Sequence, residues 1–197
     1  MADTLTLVFV PGILSFILAY SITPLVIKLA EKIGIIDDPK KGIHPKIIHT
    51  YPVPRGGGLA IFVAILISSL IFLPLDKHLK GILIGATLVT VVGILDDKYN
   101  LNPYLRLLLG FLAAMVPIAF GIGISFITLP FLGTIDLSQP QISFNLLGDA
   151  KSIWVLSDIF AVFRIVLMMN MLNMGAKGVD GQLPGVAAIA AITIAAL

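Results

Sequence analysis

Cysteine is absent from the 197-residue sequence, and charged residues are scarce. Without cysteine, the protein forms no disulfide and no thiolate metal site. Asp, Glu, Lys and Arg together make up only 12% of the chain. The net charge of +2 is too small to indicate nucleic-acid binding, so we expect no nucleic-acid partner.

Apolar residues are what the sequence has in excess. They make up 58% of the chain, with a mean hydropathy of +1.05, whereas soluble domains contain about 45–50%. Charges fall between the apolar runs, as expected for helices that satisfy their own backbone in lipid. We predict an all-α polytopic membrane protein of about six transmembrane helices, surrounded by membrane lipid. The apolar spans lie near residues 5–30, 57–75, 80–95, 105–124 and 154–174, and a sixth opens at Pro184.

The positions of Lys and Arg between the spans predict an orientation with the N-terminus outside, because cations concentrate on the cytoplasmic side. The predicted cytoplasmic cations are Lys28, Lys32, Lys40, Lys41, Lys46, Arg55, Lys98, Arg106 and Lys177, and the outer ones are Lys77, Lys80 and Lys151. The polar stretch 125–152 predicts an extracytoplasmic hairpin. Three polar segments rich in Gly and Pro, 37–58, 93–106 and 170–184, then share the cytoplasmic face and predict one site there.

The end of the sequence falls inside an apolar run. The run from Pro184 to Leu197 is shorter than the roughly 20 residues that a spanning helix needs. We therefore expect residues 1–197 to form a single membrane domain that ends within its sixth helix. This domain would be the N-terminal part of a larger helical bundle, inactive by itself.

The first polar motif is the segment "GILDDKYNLNP", residues 93–103. If the helix continues past Asp97, oxygen atoms of Asp96, Asp97 and Asn100 can converge on one side. Such oxygen ligands suit Mg²⁺, which shares its remaining positions with water and substrate phosphates. The alternative is that the two aspartates only terminate the helix, and that Asn102 caps a new helix beginning at Pro103.

The second motif is "HTYPVPRGGG", residues 49–58. Gly57 and Gly58 at a helix entrance would let backbone N–H groups approach an anion. Arg55 could bind a phosphate in bidentate fashion, and His49 could donate a hydrogen bond or a proton. The alternative is a solvated positive loop with glycines that permit a tight helix entry.

The third motif is "NMLNMGAKGVDGQLPG", residues 170–185. Asn170 and Asn173 stand one helical turn apart, before a glycine-rich turn with Lys177 and Asp180. The amides could bond each other, a neighbouring helix or a ligand such as a uracil edge, and Asp180 could complete a metal site. The alternative is hydrogen bonding between helices followed by a loop.

Together, and in the order that they have along the chain, the three motifs resemble those of the polyprenyl-phosphate N-acetylhexosamine-1-phosphate transferases, a glycosyltransferase family 4-like group of integral membrane enzymes. The resemblance spans residues from about Asp38 to Gly185. The form of the motif from His49 to Gly58 is more similar to the branch that uses a UDP-N-acetylhexosamine such as UDP-GlcNAc than to the branch that uses UDP-MurNAc-pentapeptide.

The resemblance implies a Mg²⁺-dependent transfer of a sugar-1-phosphate from a UDP-sugar to polyprenyl (undecaprenyl) phosphate. It implies that Mn²⁺ can substitute, that the enzyme lies in the cytoplasmic membrane with its site on the cytoplasmic face, and that the product enters cell-wall, peptidoglycan or lipopolysaccharide synthesis. The implied catalytic residues are Asp96 and Asp97, with Asp180 as a further metal ligand. The implied substrate-binding residues are His49, Arg55, Gly57, Gly58, Asn100, Asn170, Asn173 and Lys177.

One departure from the family pattern concerns the third motif, where Ala176 and Lys177 stand in place of an expected Asp-Gly pair. A carboxylate is therefore missing before Asp180. Arg164, inside the fifth span, is interpreted either as a structural residue or as a wall of the lipid-phosphate site. Other functional hypotheses are a small multi-pass binding or scaffold protein and a transporter, which would place its polar residues near the middle of the membrane.

Overall fold

The computed structural model describes residues 2–39, 50–129, 133–146, 149–175, 185–190 and 193. The helices with defined bounds are α1 (Ala2–Ile33), α2 (Gly57–Phe72), α3 (Lys77–Tyr99), α4 (Pro103–Ala119) and α5 (Val155–Gly175). Residues 185–190 are also helical, where the sixth span was predicted. The prediction of a helical multi-pass membrane protein is confirmed, since each helix overlaps a predicted apolar span.

Helix length separates the spans into two groups. In the described part of the chain, three helices are long and apolar enough to cross a membrane: Val8–Ile33, Lys77–Tyr99 and Val155–Asn173. The apolar helices α2 and α4 have 16 and 17 residues, which corresponds to a length of about 25 Å against the roughly 30 Å of the hydrocarbon core. The orientation of the bundle stays a prediction.

The helices extend beyond several of the predicted bounds because polar residues belong to their end turns. Helix α3 begins at Lys77, where the Asp76 carboxylate accepts a hydrogen bond from the Leu79 N–H at 2.7 Å. It ends at Tyr99, past the double aspartate. Hydropathy detects the apolar middle of such a helix and stops at its first charges.

Small residues bring neighbouring helices close together. Helix α2 buries Ala60, Ala64 and Ser68 at four-residue spacing, and the Ser68 hydroxyl donates to the Pro11 carbonyl of α1 at 2.9 Å. A Cβ atom built on Gly81 of α3 would lie 2.5 Å from the Cβ of Phe120, just beyond α4. These contacts follow the rule that small side chains permit close packing of helices in membranes.

Three pairs of neighbouring helices run antiparallel, which places several helix ends together. Helices α1 and α2 pack side by side, as do α3 and α4, and α5 packs on α4. Ser157, at the start of α5, lies beside Gly123, which follows α4. The end of α5 therefore points toward the start of α4, at the same end of the bundle as the end of α3.

Short strands connect the helices at both ends. β1 (Ile36–Asp37) and β2 (Val53–Pro54) pair antiparallel between α1 and α2, with Asp37 opposite Val53. The region 125–152 was predicted to hold one hairpin and instead contains two successive ones. They are β3 (Phe126–Leu129) with β4 (Gly133–Asp136), and β5 (Gln141–Leu146) with β6 (Asp149–Trp154).

Candidate active site

The double aspartate lies in the last turn of α3. The helix continues past Asp97 to Tyr99, and Asn100 then takes a left-handed conformation with φ of 51°. The Asn100 N–H donates to the Asp96 carbonyl at 2.8 Å, which closes the helix. The helix therefore persists past Asp97, as the expected convergence requires, and Asn100 follows it as the C-cap. The convergence of the Asn100 side chain with the two carboxylates stays a prediction.

Asp96 ties the end of α3 to the start of α4. One carboxylate oxygen accepts from the Leu101 N–H at 3.1 Å, and the other accepts from the Arg106 guanidinium at 3.0 Å. The side chain of Asp96 is 19% exposed. The predicted cap is confirmed as well, since the Asn102 side chain accepts from the Tyr104 N–H at 2.9 Å. Asp96 thus has a structural role, which the alternative interpretation included.

Asp97 faces the loop that leads into α2. Its carboxylate lies 4.0 Å from the Arg55 guanidinium and also interacts with the backbone N–H of Gly56. Gly56 is the N-cap of α2, with φ of 94°, a conformation that favours glycine. The structure therefore brings together Arg55 and Asp97, from two segments that the sequence predicted to share one face.

Asp37 completes this group of charges. It lies in β1, and its carboxylate binds the Arg55 guanidinium at 2.6 Å. Sequence reasoning missed both Asp37 and Arg106 as site residues. A signal existed for Arg106, because the cap at Asn102 reverses the chain and returns the first turn of α4 toward α3. The strands that bring Asp37 to Arg55 are two residues long and left no recognisable pattern.

We call Asp37, Arg55, Asp96, Asp97 and Arg106 the charged cluster. Its three carboxylates and two guanidinium groups leave a formal charge of −1. In the described part of the chain, no group of three His, Cys, Asp or Glu residues is placed to hold a metal ion. Mg²⁺ does not require such a cage, since it commonly uses one or two carboxylates and completes its shell with water and substrate phosphates. The partly exposed Asp97 carboxylate fits this use.

The first residues of α2 are open to solvent. Gly57 and Gly58 are exposed, and Cβ atoms built on them would meet nothing within 4 Å. The N-cap residue, Gly56, has no side chain that could cap the helix. The helix start is therefore open, and anion binding by its backbone N–H groups stays a prediction. His49 of the same motif lies outside the described residues.

The asparagines of the third motif lie in the last turns of α5. The Asn170 side chain donates to the Val166 carbonyl of its own helix at 2.8 Å, while Asn173 is exposed. This bond of Asn170 to its own helix was not among the contacts that the sequence predicted. Ala176, Lys177 and Asp180 lie outside the described residues, so the roles of Lys177 and Asp180 stay predictions.

Apolar space adjoins the charged cluster. Arg55 and Gly56 line a cavity of about 60 Å³. Its other lining residues are Val26, Leu29, Ala30, Ile33, Ile35, Leu59 and Ile94. A larger groove of about 270 Å³ lies between α3, α4 and α5, near Gly85 and Pro117. Arg164 projects from α5 as an exposed side chain.

The sequence model of a protein family, described as glycosyl transferase family 4, matches residues 79–197 of the chain. A probable undecaprenyl-phosphate N-acetylglucosaminyl 1-phosphate transferase of Bacillus subtilis is 32% identical over 96% of this chain and 48% of its own length. A decaprenyl-phosphate N-acetylglucosaminephosphotransferase of Mycobacterium leprae is 25% identical over 93% of this chain and 44% of its own. An undecaprenyl-phosphate alpha-N-acetylglucosaminyl 1-phosphate transferase of Yersinia pestis is 25% identical, over 82% and 39% respectively.

The chain spans about half the length of the curated relatives that it matches most extensively. No solved structure matches the chain. The matched region begins in the first turn of α3 and includes Asp96, Asp97 and Arg106 of the charged cluster. By this match, the chain belongs to glycosyl transferase family 4.

Proposed function

We propose that the protein transfers an N-acetylhexosamine-1-phosphate, in the first instance GlcNAc-1-phosphate, from a UDP-sugar to polyprenyl phosphate. The observation that carries this proposal is the charged cluster at one end of the helical bundle, in a chain of this family. The names of these relatives describe transfer of N-acetylglucosamine phosphate to undecaprenyl or decaprenyl phosphate. A transporter would need polar groups near mid-membrane, whereas these charges lie where the helices end.

The reaction joins two phosphates. An oxygen of the lipid phosphate attacks the β-phosphorus of the UDP-sugar, and the bond from that phosphorus to the bridging oxygen breaks. UMP leaves with the bridging oxygen, and the lipid retains a diphosphate-linked sugar. A phosphate monoester has a second pKa of about 6, so the attacking oxygen is already largely ionised at neutral pH. The protein therefore acts mainly by positioning the reactants and balancing charge.

Residues of the charged cluster have separate tasks in this proposal. Arg55 and the N–H groups at Gly57 and Gly58 bind phosphate oxygens at the start of α2. Asp97, with Asp96 beside it, would hold Mg²⁺, which neutralises diphosphate charge when it is bound. The carboxylate of Asp96 also keeps α3 and α4 in register through Arg106.

The remaining predicted residues are assigned to the nucleotide side. We propose that Asn100, Asn170, Asn173, His49 and Lys177 contact the UDP-sugar, and that Asp180 is a further metal ligand. The site lies on the cytoplasmic side of the inner membrane, and nucleotide sugars are available in the cytoplasm. The isoprenoid chain of the acceptor lies along the apolar surface of the bundle, within the lipid.

The test uses the natural gene product, purified in detergent and supplied with Mg²⁺, UDP-GlcNAc and undecaprenyl phosphate. We expect release of UMP together with a lipid-linked GlcNAc diphosphate, detected by mass spectrometry. UDP-GalNAc in place of UDP-GlcNAc measures the selectivity for the hexosamine. If neither nucleotide sugar yields UMP or a lipid-linked product, the proposed function is wrong.

A further inference from the structure

Arg55 is shared unequally between two carboxylates. One guanidinium nitrogen lies 2.6 Å from the Asp37 carboxylate, whereas another lies 4.0 Å from that of Asp97. The first distance is a charge-assisted hydrogen bond, and the second is too long for one. The guanidinium therefore stands close to Asp97 without closing onto it.

The backbone fixes this unequal arrangement. Asp37 lies in β1 opposite Val53 of β2, and the Arg55 N–H, just after β2, donates to the Ile35 carbonyl at 3.0 Å. Both members of the ion pair thus extend from one small paired unit. Asp97 belongs to a different element, the end of α3, and meets this loop at the backbone N–H of Gly56 rather than at the guanidinium.

Asp96 is an example of a carboxylate that does form a close pair with an arginine. Both of its oxygens are engaged, by the Leu101 N–H and the Arg106 guanidinium, and 19% of its side chain is exposed. Asp97 is 33% exposed. A carboxylate closed by an arginine, as Asp96 is, has less capacity left for a cation or a substrate.

We propose that Asp37 is a positioning residue for phosphosugar transfer, acting through Arg55. By binding the guanidinium, Asp37 keeps it from forming a close pair with Asp97, which leaves the Asp97 carboxylate open to a divalent cation. When Asp37 carries no charge, Arg55 closes onto Asp97. The effect of Asp37 on catalysis rests on the proposed function. The competition of the two carboxylates for Arg55 rests on the geometry alone.

The competition predicts an unusual order of Mn²⁺ affinities. Asp37→Asn frees Arg55 to occupy Asp97, and Arg55→Gln removes the side chain that would do so. The double variant should therefore bind Mn²⁺ more tightly than Asp37→Asn alone. We expect a difference of about tenfold in Kd, within the range of couplings between residues in contact. The kcat need not recover in the same way, because the double variant also lacks the phosphate contact of Arg55. A purely structural ion pair predicts equal Mn²⁺ affinities, because its loss would change stability and not access to Asp97.

The experiment compares the wild type, both single variants and the double variant in the natural gene product. UMP release gives kcat and KM, electron paramagnetic resonance gives the affinity for Mn²⁺, and thermal unfolding gives Tm. The Asp37–Arg55 pair is partly exposed, with 25% and 42% of the side chains accessible, so its loss should change Tm little. Asp136→Asn, on the exposed strand β4, serves as the matched control.

The expected result is weaker Mn²⁺ binding and lower kcat in Asp37→Asn at unchanged Tm, with the Mn²⁺ affinity partly restored in the double variant. A double variant that binds Mn²⁺ no more tightly than Asp37→Asn overturns the inference, as does a loss of activity that only follows a loss of Tm. If the wild type releases no UMP, the proposed function fails, and the Mn²⁺ affinities then decide alone. Equal affinities in all variants would refute the competition.

Discussion

Asp96 and Arg106 are joined by an ion pair of 3.0 Å that links the last turn of α3 to the first turn of α4. Asp97, the next residue, instead faces Arg55 at 4.0 Å. Adjacent carboxylates thus point to different partners, one within the α3–α4 hairpin and the other toward the loop before α2. Their substitution should have different consequences.

Asp97→Asn is expected to reduce catalysis strongly without loss of stability. The Asp97 carboxylate makes no close ion pair, and its role is to bind and balance charge at the reacting phosphates. We expect kcat to fall by about 10²-fold or more, as for other groups that stabilise a reacting centre. UMP release and Tm of the same preparation check this, and an Asp97→Asn protein with wild-type kcat would contradict the assignment.

Arg106→Gln is expected to reduce stability. The substitution leaves the Asp96 carboxylate, which is largely buried, with the Leu101 N–H as its remaining described donor. Loss of a hydrogen bond between charged groups reduces the free energy of unfolding by about 1.5–3 kcal/mol. Thermal unfolding in detergent measures this loss. An unchanged Tm would show that the ion pair does not hold α3 and α4 together.

Gly81→Ala is expected to disturb the packing of α3 against the end of α4. The new methyl group would lie 2.5 Å from the Cβ of Phe120, a distance that backbone movement alone can relieve. We expect destabilisation by about 1–3 kcal/mol, the usual range for overpacking. Gly93→Ala is the matched control on the same helix, because a Cβ there meets nothing within 4 Å. Equal Tm values for the two variants would exclude close packing at Gly81.

The orientation of the bundle can be tested directly because the chain contains no cysteine. Single cysteines at Lys98, Lys77 and Asp136 are introduced, and intact cells are treated with a membrane-impermeant thiol reagent. We expect labelling at 77 and 136, and protection at 98 until the membrane is permeabilised. Labelling at 98 together with protection at 136 would invert the topology.

Local signals in the sequence predicted much of the fold. The apolar runs located every helix with defined bounds, and the Asn-Pro pair at 102 and 103 predicted the start of α4. These features depend on neighbouring residues, as helix caps and spans do. The convergence of Asn100 with the two aspartates stays a prediction, and Asn100 itself is the left-handed C-cap of α3.

The charged cluster was predictable only in part. The motifs identified Arg55, Asp96 and Asp97, and the topology predicted that they share one face. The bond from Arg55 to Asp37 joins residues 18 positions apart through strands of two residues each, too short to show an alternating pattern. The Asp96–Arg106 pair depends on how tightly the chain reverses between two helices, which spacing alone does not give.

The central claim is that a phosphosugar, rather than the sugar alone, moves to the lipid. The most direct measurement supplies the natural gene product with undecaprenyl phosphate, Mg²⁺ and UDP-GlcNAc radiolabelled at the β-phosphorus, and follows the label into the lipid extract. Our account predicts that the label enters the lipid while unlabelled UMP is released, and that Asp97→Asn prevents both. Label that remains in UDP while the sugar reaches the lipid, or label that does not leave the UDP-sugar, would contradict it.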